Sequence, residues 1–240
     1  MAARSTSSSP RASDGGRRRG LALGVGAGLA LAACVTTPPA KERPVETPIV
    51  QAGAEVLRLR AQPVTPAQVA SPELQALITR MVDAMRAAPG VGLAAPQLGV
   101  SLQVLVLEDR AELQAALTAQ ELAERERVPV PLRVFINPTL TPVGEEQVTF
   151  FEGCLSVSGY AALVRRWREV EVSGLDEHGQ PQTWRVRGWP ARILQHEVDH
   201  LQGTLYVDRM VSRSLGTQAQ VKARFGGKPA AEVRAAFEVE

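Results

Sequence analysis

The stretch Leu194-Gln195-His196-Glu197-Val198-Asp199-His200 decides how the rest of the chain is read. Its H-E-x-x-H pattern sets two imidazoles four residues apart. On a helix, positions i and i+4 share one face about one turn apart, so His196 and His200 can hold one metal ion. Glu197 stands beside them as a carboxylate able to take a proton from water. Pro190 leads the helix "PARILQHEVDHLQG" and Gly203 closes it. His178 is the one remaining histidine, and it falls in the turn Asp176-Glu177-His178-Gly179 of a hairpin pattern, where a solvated role is expected. Two ligands do not make a site, so a third is needed.

Downstream, the protease pattern H-E-x-x-H-x-x-G-x-x-H is followed through Gly203, but its last position is Tyr206. Phenol is a poor substitute for imidazole as a permanent ligand. The downstream carboxylates Glu232, Glu238 and Glu240 sit in a tail with only weak amphipathic pattern. Upstream, Cys154 in "FFEGCLSV" offers a thiolate, a strong ligand for zinc and ferrous iron. A lone buried cysteine is more often structural. Beside a two-histidine pair lacking a partner, ligation becomes the better reading, and it leaves a position open for water. Gly153, just before it, lets the backbone approach a bound group. The segment Gly90-Val91-Gly92-Leu93-Ala94-Ala95-Pro96-Gln97 adds further glycines, against which a peptide-like ligand can lie, and the Gln97 amide donor. Taken alone it is a plain glycine-rich turn, and a nucleotide loop would need a strand before it rather than a helix.

Around these motifs the chain alternates helices and strands without a βαβ rhythm, which predicts an α+β fold. Residues 71–90 predict a helix, with Ser71 as N-cap and Leu74, Leu77, Ile78, Met81, Val82 and Met85 on one face. Residues 102–109 and 132–140 predict strands, 111–127 a charged helical insert, and 168–188 a hairpin. "LRLRAQPVTP" (57–66) reads as extended.

The chain has 240 residues and a net charge of +2, which gives no general attraction to nucleic acid. The charge is uneven, because residues 1–33 carry five arginines against Asp14. They end in an uncharged apolar run, "LALGVGAGLALAAC", too short to span a bilayer but suited to a signal-peptide core. Leu31-Ala32-Ala33-Cys34 resembles the lipobox of bacterial lipoproteins, in which the cysteine becomes the lipid anchor. An organellar transit peptide or a start codon placed too far upstream competes with that reading. The expected organisation is a signal peptide over 1–33, a proline-rich linker over 34–50, a catalytic domain over 51–213 and a tail over 214–240. The two cysteines, Cys34 and Cys154, are not expected to pair.

Together, Gly90 to Gln97, Glu152-Gly153-Cys154-Leu155-Ser156 and His196-Glu197-Val198-Asp199-His200 resemble, in order, the three motifs of peptide deformylases. The insert and "GWPARILQHE" are similar to the mitochondrial-type branch, which some bacteria share. The resemblance implies antiparallel sheets packed around a central helix that carries H-E-x-D-H. It implies that Cys154, His196 and His200 hold one divalent metal, ferrous iron in many members, with zinc, nickel or cobalt as alternatives. Glu197 would be the general base and then acid, while Gln97 and the backbone N–H of Leu155 would stabilise the oxyanion. Val91, Gly92 and Gly153 would meet the substrate backbone. Val91, Trp189 and Ile193 would form the methionine pocket, which Trp189 and Arg192 distinguish from many bacterial enzymes. The expected partner is an N-formylmethionyl peptide or nascent chain, and no nucleic acid. Such chains arise in the cytoplasm or an organelle, whereas the leader points to the envelope. A peptide-binding protein, an envelope-anchored amidase acting on another formyl or acyl peptide, and an H-E-x-x-H metallopeptidase are the alternatives.

Overall fold

The computed structural model of the chain describes residues 48–239. The leader, Cys34, most of the linker and Glu240 lie outside the described residues. The elements run α1 (Pro66–Val69), α2 (Pro72–Ala87), β1 (Gly92–Ala94), β2 (Val104–Asp109), α3 (Ala111–Gln114), α4 (Ala119–Glu124), β3 (Val130–Pro142), β4 (Gln147–Cys154), β5 (Val157–Trp167), β6 (Glu169–Leu175), β7 (Pro181–Arg187), α5 (Trp189–Leu201), β8 (Gly216–Thr217), α6 (Gln218–Phe225) and α7 (Ala230–Ala235). All strand pairs are antiparallel. They form a five-stranded sheet in the order β1-β2-β3-β6-β7 and a three-stranded sheet in the order β4-β5-β8. The fold is therefore α+β, with α5 packed against strands of both sheets.

The apolar run of β2 shows how the layers arise. Side chains alternate along a strand, so consecutive apolar residues imply burial on both faces. Val104 and Val106 join the core beneath α2, whereas Leu105 and Leu107 join the core beneath α5. The five-stranded sheet is thus sandwiched between two helices. Helix α2 turns the expected face inward, with Leu74, Leu77, Ile78, Met81, Val82 and Met85 all buried. The Ser71 hydroxyl accepts a hydrogen bond from the Leu74 N–H at 3.2 Å and stops the helix from starting earlier. Helix α5 begins after Gly188, whose φ of 71° is costly for other residues, and Pro190 sits in its first turn.

Several expectations shift. The strands extend over Val104–Asp109 and Val130–Pro142 rather than 102–109 and 132–140. The charged insert is two short helices, α3 and α4, rather than one. The extended reading of 57–66 is interrupted by a 3-10 helix over Glu55–Arg58 and by the start of α1. The β4–β5 hairpin had no clear sequence signature, because its inward positions include Thr149, Glu152 and Arg166 and so break the apolar alternation. Beyond Arg213, the weakly patterned tail folds: β8 pairs with β5, and Phe225 and Phe237 pack on Phe151 of β4.

Met81 is fully buried between α2 and the sheet. Met81→Ala should therefore lower stability by about 2–5 kcal/mol, read as a fall in the urea midpoint at unchanged slope.

Candidate metal centre

Helix α5 presents His196 and His200 on one face with ring centroids 5.1 Å apart. Cys154, at the last position of β4, meets them from the other sheet. Its Sγ lies 3.2 Å from His200 Nε2, and one donor atom from each of the three residues lies within 4.8 Å of the others. Among the described residues no other group of three histidine, cysteine or acidic side chains converges in this way. A soft thiolate with two imidazoles suits a transition metal and leaves a coordination position open. The residues present fit a divalent ion.

Glu152 orients the first histidine. Its Oε2 lies 3.0 Å from His196 Nδ1. A carboxylate only accepts, so Nδ1 carries the proton and Nε2 is left as the ligand atom. Arg166 grips Glu152 with two hydrogen bonds of 2.9 and 3.0 Å, and Arg192 donates a third of 2.6 Å. Burial opposes the charge, yet Arg166, His196 and Arg192 hold the Glu152 carboxyl well below the usual carboxylate range. Arg166 also pairs with Asp199 beside His200, and Arg209 caps Asp199 with two 2.8 Å bonds. Arg192 additionally donates to the carbonyls of Val148 and Val164. The guanidinium is therefore committed to β4 and β5, although the residue also lines the cavity.

Glu197 is buried, and its Oε2 finds no hydrogen-bond partner among the described residues. An orphaned carboxylate oxygen inside a protein demands an explanation, and a reacting water or substrate supplies one. Burial pushes its pKa up to about 7, with His196 pulling against the shift. Gly92 makes room for it. A Cβ built there would lie 2.3 Å from Glu197 Oε1, so any larger residue would displace the carboxylate. The expected substrate contact of Gly92 is thus joined by a steric duty toward Glu197.

Gln97 lies buried in a 3-10 helix over Ala95–Leu98. Its Oε1 accepts from the Ala94 N–H at 2.8 Å, which turns the amide NH2 toward Ser156 Oγ (3.2 Å) and Cys154 Sγ (3.7 Å). Leu155 follows Cys154 directly, and its carbonyl is held by Gln51. A cavity of about 440 Å³ opens at the centre, lined by Val91, Gly92, Gly153, Trp189 and Ile193 together with Cys154 and His196. Every site residue expected from sequence is therefore gathered in one place.

Of the rejected candidates, Tyr206 packs against the centre and the others lie away from it. Tyr206 is buried with its ring stacked on His196 at 6.1 Å. Glu232 pairs with Lys228 and Glu238 with Arg213, while His178 is exposed in its turn. Sequence reasoning missed Arg166 and the orienting part of Glu152. A signal existed for Arg166: Ala162, Val164 and Arg166 share the period-2 inward face of β5, and a charge at an inward position needs a buried partner. Gln218, which lines the cavity from the tail, gave no such signal.

Residues 46–215 match the family model described as polypeptide deformylase. The mitochondrial peptide deformylase of Homo sapiens is 49% identical over 166 residues, covering 69% of this chain and 68% of that protein. Peptide deformylase 1 of Streptomyces coelicolor is 51% identical over 176 residues, covering 72% and 77%. The Met-Ala-Ser-bound crystal structure of class I type b peptide deformylase from Acinetobacter baumannii superposes with a TM-score of 0.60 at 32% identity, covering 68% of this chain and 97% of that one.

Glu152→Gln should weaken the orienting bond to His196 and lower metal affinity about 10–100-fold. Competition with a chromogenic chelator measures this directly, and an unchanged affinity would remove Glu152 from that role.

Proposed function

The chain belongs to the polypeptide deformylase family, and we propose that Cys154, His196 and His200 hold its metal while Glu197, Gln97 and Leu155 carry out its reaction. It is a metal-dependent hydrolase that removes the formyl group from N-terminal formyl-methionine of polypeptides, giving formate and a methionyl peptide. The observation that carries the residue assignment is the convergence of one thiolate and two imidazoles beside a buried carboxylate with an unpartnered oxygen.

When bound, the ion supplies Lewis acidity toward the formyl oxygen and toward water. The donor set of one thiolate and two imidazoles suits several first-row divalent ions; the resemblance to the family puts ferrous iron first, with zinc, nickel or cobalt as alternatives. Glu197 takes the proton of the attacking water and returns it to the departing amine. The Gln97 NH2, aimed by the Ala94 N–H, and the Leu155 N–H donate to the oxyanion; losing such a donor commonly costs about 10²–10³-fold in rate. Val91, Gly92 and Gly153 meet the peptide backbone. Val91, Trp189 and Ile193 take the methionine side chain. The Trp189 ring is backed by the guanidinium groups of Arg125 and Arg127 at 5.4 and 5.3 Å, which stiffens this wall.

The leader adds a reading of compartment. We infer that the lipobox at Leu31–Cys34 sends the enzyme to the envelope with lipid on Cys34, where it acts on formyl-peptides outside the cytoplasm. Mass spectrometry of the mature N-terminus is expected to find a diacylated Cys34. An unlipidated terminus near residue 40 would overturn the export reading and favour processing of a leader of another kind.

Formyl-Met-Ala should release formate, and its unformylated twin should not be cleaved; peptide-bond cleavage would favour a metallopeptidase instead. Glu197→Ala should retain metal by elemental analysis and lose turnover, whereas Cys154→Ala should lose the metal itself. Appreciable hydrolysis by the first variant would exclude Glu197 as the base.

A further inference from the structure

We propose that Gln51 is a positioning residue for the deformylase reaction: from outside the three motifs it sets the Leu155 turn, and with it the spacing of the two oxyanion donors. The proposal rests on the deformylase reading and deepens it. Those donors come from separate parts of the fold. Gln97 belongs to the 3-10 helix that follows β1 of the five-stranded sheet, and Leu155 to the turn between β4 and β5 of the other sheet. A developing oxyanion needs both at once, so the two segments must be held in register.

The stretch Val50-Gln51-Ala52 holds them. The Val50 N–H donates to the Gln97 carbonyl at 2.9 Å, and the Ala52 N–H donates to the Ser156 carbonyl at 2.7 Å. Between these two bonds, the Gln51 side chain spans the turn. Its Nε2 donates to the carbonyls of Leu155 at 3.0 Å and Ile49 at 3.1 Å, and its Oε1 accepts from the Ser158 N–H at 3.3 Å. Gln51 is exposed and stands where the sequence pattern sets the boundary between linker and catalytic domain. It therefore acts through these bonds rather than through packing.

The turn needs such a hold. Cys154 pairs with Val157, which leaves Leu155 and Ser156 as a two-residue loop. Turn types I and II differ mainly in the direction of the peptide between the two central residues. Here that peptide is pinned at both ends. The Ser156 N–H donates to Cys154 Sγ at 3.3 Å, and the Leu155 carbonyl accepts from Gln51. Rotating the peptide would turn a carbonyl oxygen toward the thiolate and re-set the backbone of Leu155. Ser156 carries the constraint on to Gln97, whose Nε2 donates to the Ser156 hydroxyl at 3.2 Å.

The test compares full-length wild type, Gln51→Ala and Gln51→Glu on formyl-Met-Ala, with rates expressed per bound metal. A misplacement of about 1 Å can cost on the order of 10²-fold, so Gln51→Ala should lower kcat by about 10–10²-fold. KM should stay within about twofold, because the oxyanion is absent from the ground state. Gln51→Glu keeps an acceptor for the Ser158 N–H but sets a carboxylate against the Leu155 carbonyl, and should lose as much. In a Gln97→Ala background, Gln51→Ala should cost clearly less than it does alone, since groups that act as a unit are not additive. A Gln51 that only stabilises the fold would lower the melting temperature and leave kcat as it is. Unchanged kcat in either variant, a loss confined to KM, or full additivity with Gln97→Ala would overturn the proposal and leave the deformylase reading standing. Failure of the wild type to release formate would instead sink that reading, and the proposal with it.

Discussion

One buried carboxylate, Glu152, ties the metal centre together. It sits on β4, two residues before the thiolate, and its side chain meets His196 of α5, 44 residues further along the chain. The two elements belong to different parts of the fold, since β4 lies in the three-stranded sheet and α5 fills the core of the five-stranded one. Three arginine hydrogen bonds offset the cost of burying this charge. Removing one partner from such a buried group typically costs about 3–5 kcal/mol, because the remaining charge is left without compensation. The same Arg166 reaches Asp199 beside His200, so one guanidinium holds the neighbourhood of all three ligands.

A second constraint is steric. The proposed base, Glu197, must stand beside the proposed ligands yet keep an oxygen open to the reaction. Helix α5 alone cannot arrange this, because Glu197 projects toward β1. The absence of a side chain at Gly92 lets the carboxylate rest against the strand backbone, and its other oxygen stays unpartnered. Gln97 is fixed by a comparable economy, with one amide oxygen committed to the Ala94 N–H so that the NH2 faces the reacting side. Both groups are positioned before any substrate arrives, which is what makes fixed dipoles effective in catalysis.

The segments outside the three motifs form the surroundings of the site. The insert supplies Arg125 and Arg127 behind Trp189, and Arg127 is itself anchored by two bonds to the buried Asp109. The tail brings Gln218 to the cavity and closes an aromatic cluster of Phe151, Phe225 and Phe237. Neither segment touches the ligands. Both line the cavity of about 780 Å³ that adjoins the site.

The sequence by itself determined the chemistry. H-E-x-x-H on a helix supplies two ligands and a carboxylate, the failure at Tyr206 sends the search for the third ligand upstream, and Cys154 is the soft donor found there. It also determined α2 with its buried face and the β6–β7 hairpin, because periodicity reports burial directly. Only the tertiary structure decided how the ligands are held. Glu152, Arg166 and Asp199 are polar residues at inward positions, and a charge facing inward can be read from sequence only as a demand for a partner. Which partner meets that demand depends on strands and helices tens of residues apart. The same holds for the tail, whose weak amphipathic pattern could not reveal that Phe225 and Phe237 had an aromatic surface waiting on β4.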